Sequence, residues 1–398
     1  MSRRNGQGRQ RAGHGRYLRT LLAGAVATVA VAGTAGWAVG SEQVAVTGPV
    51  PGAAEWRADR GPDGPLPDPA SATPAEVARF FQALPAGHDR ALAERHALVV
   101  GNLDGAPVEL RYRANAAALR QERAAELRRA DDASTPARDR AAARERAERY
   151  DRLLSGGRRI LAFDPRGRGQ VAEVYGDLRR AEHTAVVVPG SDIDLETFDR
   201  DSDPYGTPTG MARSLYRATG ERTAVVAWAG YTTPVGLGPD AATGRLAEAG
   251  APRLTRLVQG LTANGSAKPA VFCHSYGSVV CGLAAAELPA ADLVVAGSPG
   301  MRSDNAAGLD TKARVWAARN DDDWIGRVPN VNVLGLGHGA DPAGAGFGAR
   351  RIPAATAEGH TGYFAPGTDS LRAFARIAVG DHDFGVSDAG KHSLGGRS

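Results

Sequence analysis

The sequence predicts an α/β fold, a mostly parallel sheet with helices on both faces, preceded by an N-terminal membrane or signal helix and a helical segment. Three observations carry this. From residue 158 onward, short apolar runs rich in Val, Ala and Ile alternate with helical stretches, the mark of strands buried on both faces. One such run, AVFCHSYGSVVCGLA at residues 270–284, passes from strand through a sharp turn at His274-Ser275-Tyr276 into a helix of small residues. Before residue 158 the pattern is helical and dense in Arg, Glu and Ala.

Length and composition bound the reading. With 398 residues, 42% hydrophobic and 23% charged, the chain has room for one large domain and appendages. The net charge of +4 comes from the N-terminus, where residues 1–20 hold six arginines and no acid. The remainder carries −2, which argues against nucleic-acid binding.

Taken in order, residues 21–39 (LLAGAVATVAVAGTAGWAV) form a 19-residue uncharged run, close to the ~20 residues that span a bilayer as a helix. With the arginines before it, segment 1–40 reads as a signal peptide or an uncleaved membrane anchor. Small-x-small sites at 30–32 and 38–40 would permit cleavage. Arginines stay on the cytoplasmic side. The expectation is therefore an exported chain, membrane-anchored or secreted. Residues 41–73, rich in Pro and Gly, read as a largely irregular linker. Thr73-Pro74 reads as a helix start, opening a helical segment over 74–157. Breaks are expected at Gly101 to Gly105 and near 131–136, and Gly156-Gly157 ends the segment. Its Arg/Glu pattern suggests a solvated surface with i,i+4 ion pairs, and no sustained apolar heptad supports a coiled coil.

The sheet domain is expected over 158–380. Residues 160–163 and 170–175 read as a hairpin around Asp164-Pro165-Arg166-Gly167. Further strands fall at 183–190, 222–228, 271–272, 291–297, 312–318 and 348–352, with helices at 254–261 and 370–379. Residues 381–398 read as a flexible tail.

The stretch at 270–284 carries the chemistry. A strand–turn–helix presents one serine hydroxyl at the tip of a tight turn, beside the positive end of a helix. A serine becomes a nucleophile only when a base takes its proton and donors hold the oxyanion. Ser275 is the candidate nucleophile. The competing account makes it the N-cap of a core helix. Its partners are expected past the carboxyl ends of later strands, acid before histidine. Arg319-Asn320-Asp321-Asp322-Asp323 supplies the acid, with Asp323 favoured and Asp322 second. His360, between the last strand and last helix, is the favoured base. His338 is the runner-up, and His382 and His392 fall in the tail. The oxyanion donors are expected to be the N–H groups of Tyr276 and of Ser191, in Pro189-Gly190-Ser191. Residues 199–206 carry a trace of calcium-loop spacing but read as a solvated loop over the site. Cys273 and Cys281 fall on the same face; a bond pinning strand to helix and two buried thiols are both consistent with that spacing.

In the order VVVPGSD, AVVAWAGY, CHSYGS and GHTGYF, these segments resemble the α/β-hydrolase superfamily. GNLDGAPVELRYRAN and FDPRGRGQVAEVYGD are similar to an actinobacterial branch catalogued as a domain of unknown function. The resemblance spans about residues 91–380 and implies the hydrolase fold, with Ser275, Asp323 and His360 as triad. The departure is Cys273, where that superfamily usually carries glycine. The function expected is a serine hydrolase of the esterase or lipase kind, cleaving a small-molecule or lipid-like ester outside the cytoplasmic membrane. It needs no cofactor and no metal. The alternative is a non-catalytic envelope or binding protein that keeps the fold.

Overall fold

Uncharged runs without polar alternation form the middle of the sheet. The computed structural model describes residues 42–62 and 64–383. A short two-stranded ribbon pairs β1 (Arg60–Gly61) with β2 (Gly64–Pro65). The main sheet holds β3 (Ile160–Asp164), β4 (Gln170–Tyr175), β5 (His183–Val188), β6 (Thr223–Ala229), β7 (Ala270–His274), β8 (Asp292–Ala296), β9 (Arg314–Ala318) and β10 (Arg350–Ile352). Their spatial order is β10-β9-β8-β7-β5-β6-β4-β3. Every pair from β10 to β6 is parallel, while β4 runs antiparallel to both β6 and β3. Every residue of β6, β7 and β8 is buried, as strands covered on both faces require.

Helices cover each face. On one, Leu119, Tyr150, Leu215 and Phe374 pack with Phe163, Val187 and Phe272. On the other, Leu254, Val258 and Val280 pack with Val186, Val226, Val271 and Val295. The helix Arg245–Ala263 is longer than its expected span, because Pro252 inside it interrupts the pattern that marks helices in sequence. The helix Pro208–Ala218 was not among the expected elements. Its start signal is Thr207, whose side chain accepts from Gly210 N–H, followed by proline in the first turn.

Three expectations need correction. Residues 42–73 are not a free linker. They carry the helix Ala53–Ala58, and Trp56 is fully buried in a small core with Val50, Leu66, Val77, Phe81 and Val100. The apolar residues stand singly among Pro and Gly, so no periodicity betrays them. The arginines of the helical segment are not all solvated: Arg111 and Arg149 are buried and paired. The loop at 199–206 is pinned, since Asp199 accepts from Arg149 and Arg158, each at 2.6 Å. The segment expected at 1–40 and residues 384–398 lie outside the described residues. Among the described residues no helix is long and apolar enough to cross a membrane.

The first resemblance-bearing motif is a staple between the helical segment and the sheet edge. Asn102 Nδ2 donates to Phe163 O at 2.6 Å, and its Oδ1 accepts from Phe163 N–H, so a side chain closes the open edge of β3. Asn115 Nδ2 donates to Gly101 O at 3.0 Å and to Ile160 O at 3.2 Å. Arg111 donates to Gly101 O at 3.1 Å and to Asp104 at 2.9 Å. Gly105 must be glycine: its φ is +97°, and a Cβ there would lie 2.0 Å from Pro74 O.

Candidate active site

Strand β7 ends at His274, and the next residue turns sharply. Ser275 has φ 53°, a left-handed conformation that costs an ordinary residue about 1–3 kcal/mol. Its N–H donates to Ala296 O at 3.0 Å and so stays anchored to the end of β8. The helix Gly277–Ala284 starts at once, tight against the end of β5, where a Cβ on Gly277 would come 2.6 Å from Val188 O. Cys273 on the strand is bonded to Cys281 on the helix, with Cα atoms 6.5 Å apart. A disulfide therefore pins the two arms of the turn at the position where glycine is usual.

The structure brings Ser275, Asp323 and His360 into one hydrogen-bonded chain. His360 Nε2 lies 2.8 Å from Ser275 Oγ, and His360 Nδ1 lies 2.8 Å from Asp323 Oδ1. Nδ1–H donates to the carboxylate, which leaves Nε2 to accept from the serine hydroxyl. Asp323 is the buried member of the three aspartates, while Asp321 and Asp322 are exposed. Burial alone would raise its carboxyl. Bonds from the His360 ring, from Tyr363 Oη at 2.6 Å and from Ile325 N–H at 2.9 Å instead hold it below the usual carboxylate range. It remains ionised opposite the imidazole.

The other histidine candidates are spent elsewhere. Buried His338 bonds Ala241 O through Nε2 at 2.7 Å and packs edge-on against Tyr276. His382 meets Asp292 at 3.2 Å and stacks on Trp316. His392 lies outside the described residues.

The loop after β5 crosses the nucleophile. A Cβ on Gly190 would come 2.6 Å from Ser275 Cβ and 3.2 Å from Tyr276 N, so glycine permits the approach. Ser191, the expected second oxyanion donor, follows directly, and Tyr276 follows the nucleophile. Tyr231 Oη donates to Pro189 O at 2.8 Å, and Asp192 N–H donates to Pro234 O at 2.8 Å, fixing this loop to the one after β6.

Four residues of the site were not foreseen. Tyr363 holds the second oxygen of Asp323. Tyr231 steadies the Gly190 turn. His274 donates through Nε2 to His360 O at 2.7 Å and braces the base from behind. Its burial, with His360 beside it, pushes the His274 imidazole down to about 3, so it stays neutral. Trp324 packs its ring against His360 at a 45° tilt, with centroids 4.7 Å apart. Tyr363 and Tyr231 stand inside GHTGYF and AVVAWAGY, so the signal was present without its meaning. Among the described residues no cluster of His, Cys, Asp or Glu is arranged to hold a metal. A cavity of about 390 Å³ near Asn102, Asp164 and Arg253 is lined by none of the three chained residues.

Residues 164–333 match a family model described as alpha/beta hydrolase. Two uncharacterized proteins of Mycobacterium tuberculosis, from different strains, are each 28% identical over 81% of this chain and 58% of their own. The chain thus spans less than two thirds of the length of these curated relatives. Among solved structures, a CIB-like hydrolase from Thermoplasma acidophilum is 14% identical, covering 56% of this chain and 95% of that one, with a TM-score of 0.33. An α/β serine hydrolase without lid from Xanthomonas campestris is 18% identical over 56% of this chain and 93% of that one, with a TM-score of 0.34.

Proposed function

We propose that this α/β-hydrolase domain is a serine hydrolase that cleaves an ester or related acyl substrate through an acyl-enzyme, outside the cytoplasmic membrane. One observation carries the reading: a single imidazole, His360, bridges Ser275 Oγ and the buried Asp323 carboxylate at 2.8 Å on each side. Ser275 Oγ attacks the acyl carbon while its proton passes to His360 Nε2. Asp323 stabilises the imidazolium and keeps Nδ1 protonated. Tyr276 and Ser191 N–H groups face the oxyanion that forms. His360 then returns the proton to the leaving alcohol. Water, deprotonated by the same nitrogen, releases the acid and restores the serine.

The elbow strain and the tethered Gly190 loop support this reading, because both hold reacting groups in place before substrate arrives. The Cys273–Cys281 disulfide supports the extracytoplasmic location, since such bonds persist in oxidising compartments. Arginines ahead of the apolar run at 21–39 point the same way.

Labelling of the full chain by a fluorophosphonate probe tests the proposal. Wild type should label, and Ser275→Ala and His360→Ala should both fail to. A folded wild-type chain that does not label, and that hydrolyses no acyl ester, would leave a non-catalytic binding protein as the better account.

A further inference from the structure

We infer that the mouth of the Ser275 site docks on the surface of a neutral lipid phase and takes its ester from there. The inference deepens the hydrolase reading above and rests on it for the ester.

Where the protein leaves its apolar side chains exposed is the first observation. Apart from Val44, every exposed large apolar side chain among the described residues lies in residues 235–237 or 324–336. These belong to the loops that leave the carboxyl ends of β6 and β9. Scattered exposed aliphatics need no explanation, but confinement to one mouth does. The apolar tips of both loops lack charge, although exposed Asp321, Asp322 and Arg327 stand beside Trp324 at the base of the second. Residues 229–239 (AGYTTPVGLGP) and 328–337 (VPNVNVLGLG) contain no Asp, Glu, Lys or Arg, in a chain that is 23% charged.

Both loops are tied to the reacting groups. Gly236 N–H donates to Asp192 Oδ1 at 2.7 Å, just past the Gly190 turn. Trp324 packs against the His360 ring. The loops meet where Gly337 N–H donates to Ala242 O at 2.8 Å, beside Thr243, whose carbonyl accepts from Tyr276 Oη at 2.7 Å. The apolar surface therefore borders Ser275 from two sides.

The tip is stiff. Val333 and Leu336 exchange two backbone hydrogen bonds, at 2.9 and 3.0 Å, around a two-residue turn. Both turn residues are left-handed, Leu334 at φ 51° and Gly335 at φ 84°. Asn or Asp suits the first position of such a turn. Here it holds a leucine that is 99% exposed. Arg302 braces the turn from beneath, donating to Gly335 O at 3.2 Å and Gly337 O at 2.8 Å. The hairpin thus holds its leucine out into water. The uncharged tips offer an acidic or basic partner nothing to pair with, and they border the point an acyl ester must reach. A neutral lipid surface satisfies both conditions.

The test uses the full chain with Ser275→Ala, so that lipid is not consumed. The native cysteines are joined to each other, so Leu334→Cys supplies one free thiol for an environment-sensitive NBD label. Arg180→Cys, at a side chain 88% exposed, is the control. Zwitterionic phosphatidylcholine vesicles carrying acyl-chain nitroxides are added to each. This readout is local, so binding through residues 21–39 does not imitate it. The label at 334 should shift to the blue and be quenched, and the label at 180 should do neither. Equal responses at both positions would overturn the inference. So would a blue shift at 334 that follows protein concentration without vesicles, since the patch would then join two copies.

Kinetics supply the second arm. In an otherwise wild-type chain, Leu334→Ser with Leu336→Ser should slow hydrolysis of dispersed long-chain esters about tenfold and leave soluble short-chain esters nearly unchanged. Equal rates on both would count against docking. A wild type inactive on every ester would sink the hydrolase reading, while the vesicle arm would still decide the docking surface.

Discussion

Two buried polar networks hold this protein together, and they do opposite things. At the open edge of the sheet, Asn115, Arg111 and Asn102 direct their N–H groups mainly to backbone carbonyls of Gly101, Ile160 and Phe163. At the carboxyl ends of the strands, Ser275, His360, Asp323 and Tyr363 bond side chain to side chain. The first arrangement consumes polar groups and joins two layers. The second leaves a half-buried hydroxyl against an imidazole that can take its proton. Both were conspicuous in sequence, so a conspicuous motif marks an exacting geometry, and only the bonding partners tell assembly from chemistry.

Exchanging the damage breaks the comparison most sharply. His360→Ala should lower the rate on an activated ester by about a thousandfold or more, with the melting temperature nearly unchanged. Asn115→Ala should do the reverse. Loss of two buried donors should cost about 1–3 kcal/mol in denaturant unfolding, with activity per folded molecule preserved. A staple variant that keeps its stability but loses turnover would erase the distinction.

The site end has a covalent pin that the edge lacks. Replacing Cys273 and Cys281 together by Ala opens a closed loop of eight to nine residues, which should cost about 2–3 kcal/mol. Unfolding with and without reductant should show the loss in wild type only. An unchanged wild-type midpoint under reductant would mean that the elbow stands on packing alone.

Tyr363→Phe removes one of the bonds that hold Asp323. The carboxylate keeps His360 and Ile325, so the expected loss is about tenfold in kcat with little change in KM, near 1.4 kcal/mol. A change confined to KM would place Tyr363 in substrate binding instead.

How legible these regions were follows from whether the fold imposes an order on the residues involved. The contact of Ser275, Asp323 and His360 could be anticipated, because each follows the carboxyl end of a strand that the apolar runs mark, in an order the fold constrains. Choosing Asp323 over Asp322 rested on local spacing; in the structure Asp323 is buried and Asp322 exposed. His274 and Tyr363 were opaque, since no local pattern encodes their bonds and no order along the fold calls for them. The staple motif was visible, yet its purpose was not, because Asn115 meets Ile160 across 45 residues. Trp56 was missed for another reason: a single aromatic among prolines has no period.

His274 separates the two regions by pH. Burial beside His360 holds its imidazole down to about 3 in the folded chain, against about 6.5 when unfolded. Between those values the unfolded chain binds a proton that the folded chain refuses. Stability from this residue is therefore fully present above about pH 6.5 and falls as pH drops toward 3, by at most about 1.4 kcal/mol per pH unit. Asp323, held below its ordinary range, contributes stability above that range and loses it only as pH falls further, which keeps the two effects apart. Glutamine at 274 can still donate to His360 O but has no proton to gain. His274→Gln should therefore flatten the unfolding free energy between pH 6.5 and 4 relative to wild type, whereas Asn115→Ala should lower the whole curve without changing its slope. Parallel curves for wild type and His274→Gln would show that the strand end of the site tolerates a charge the geometry says it excludes.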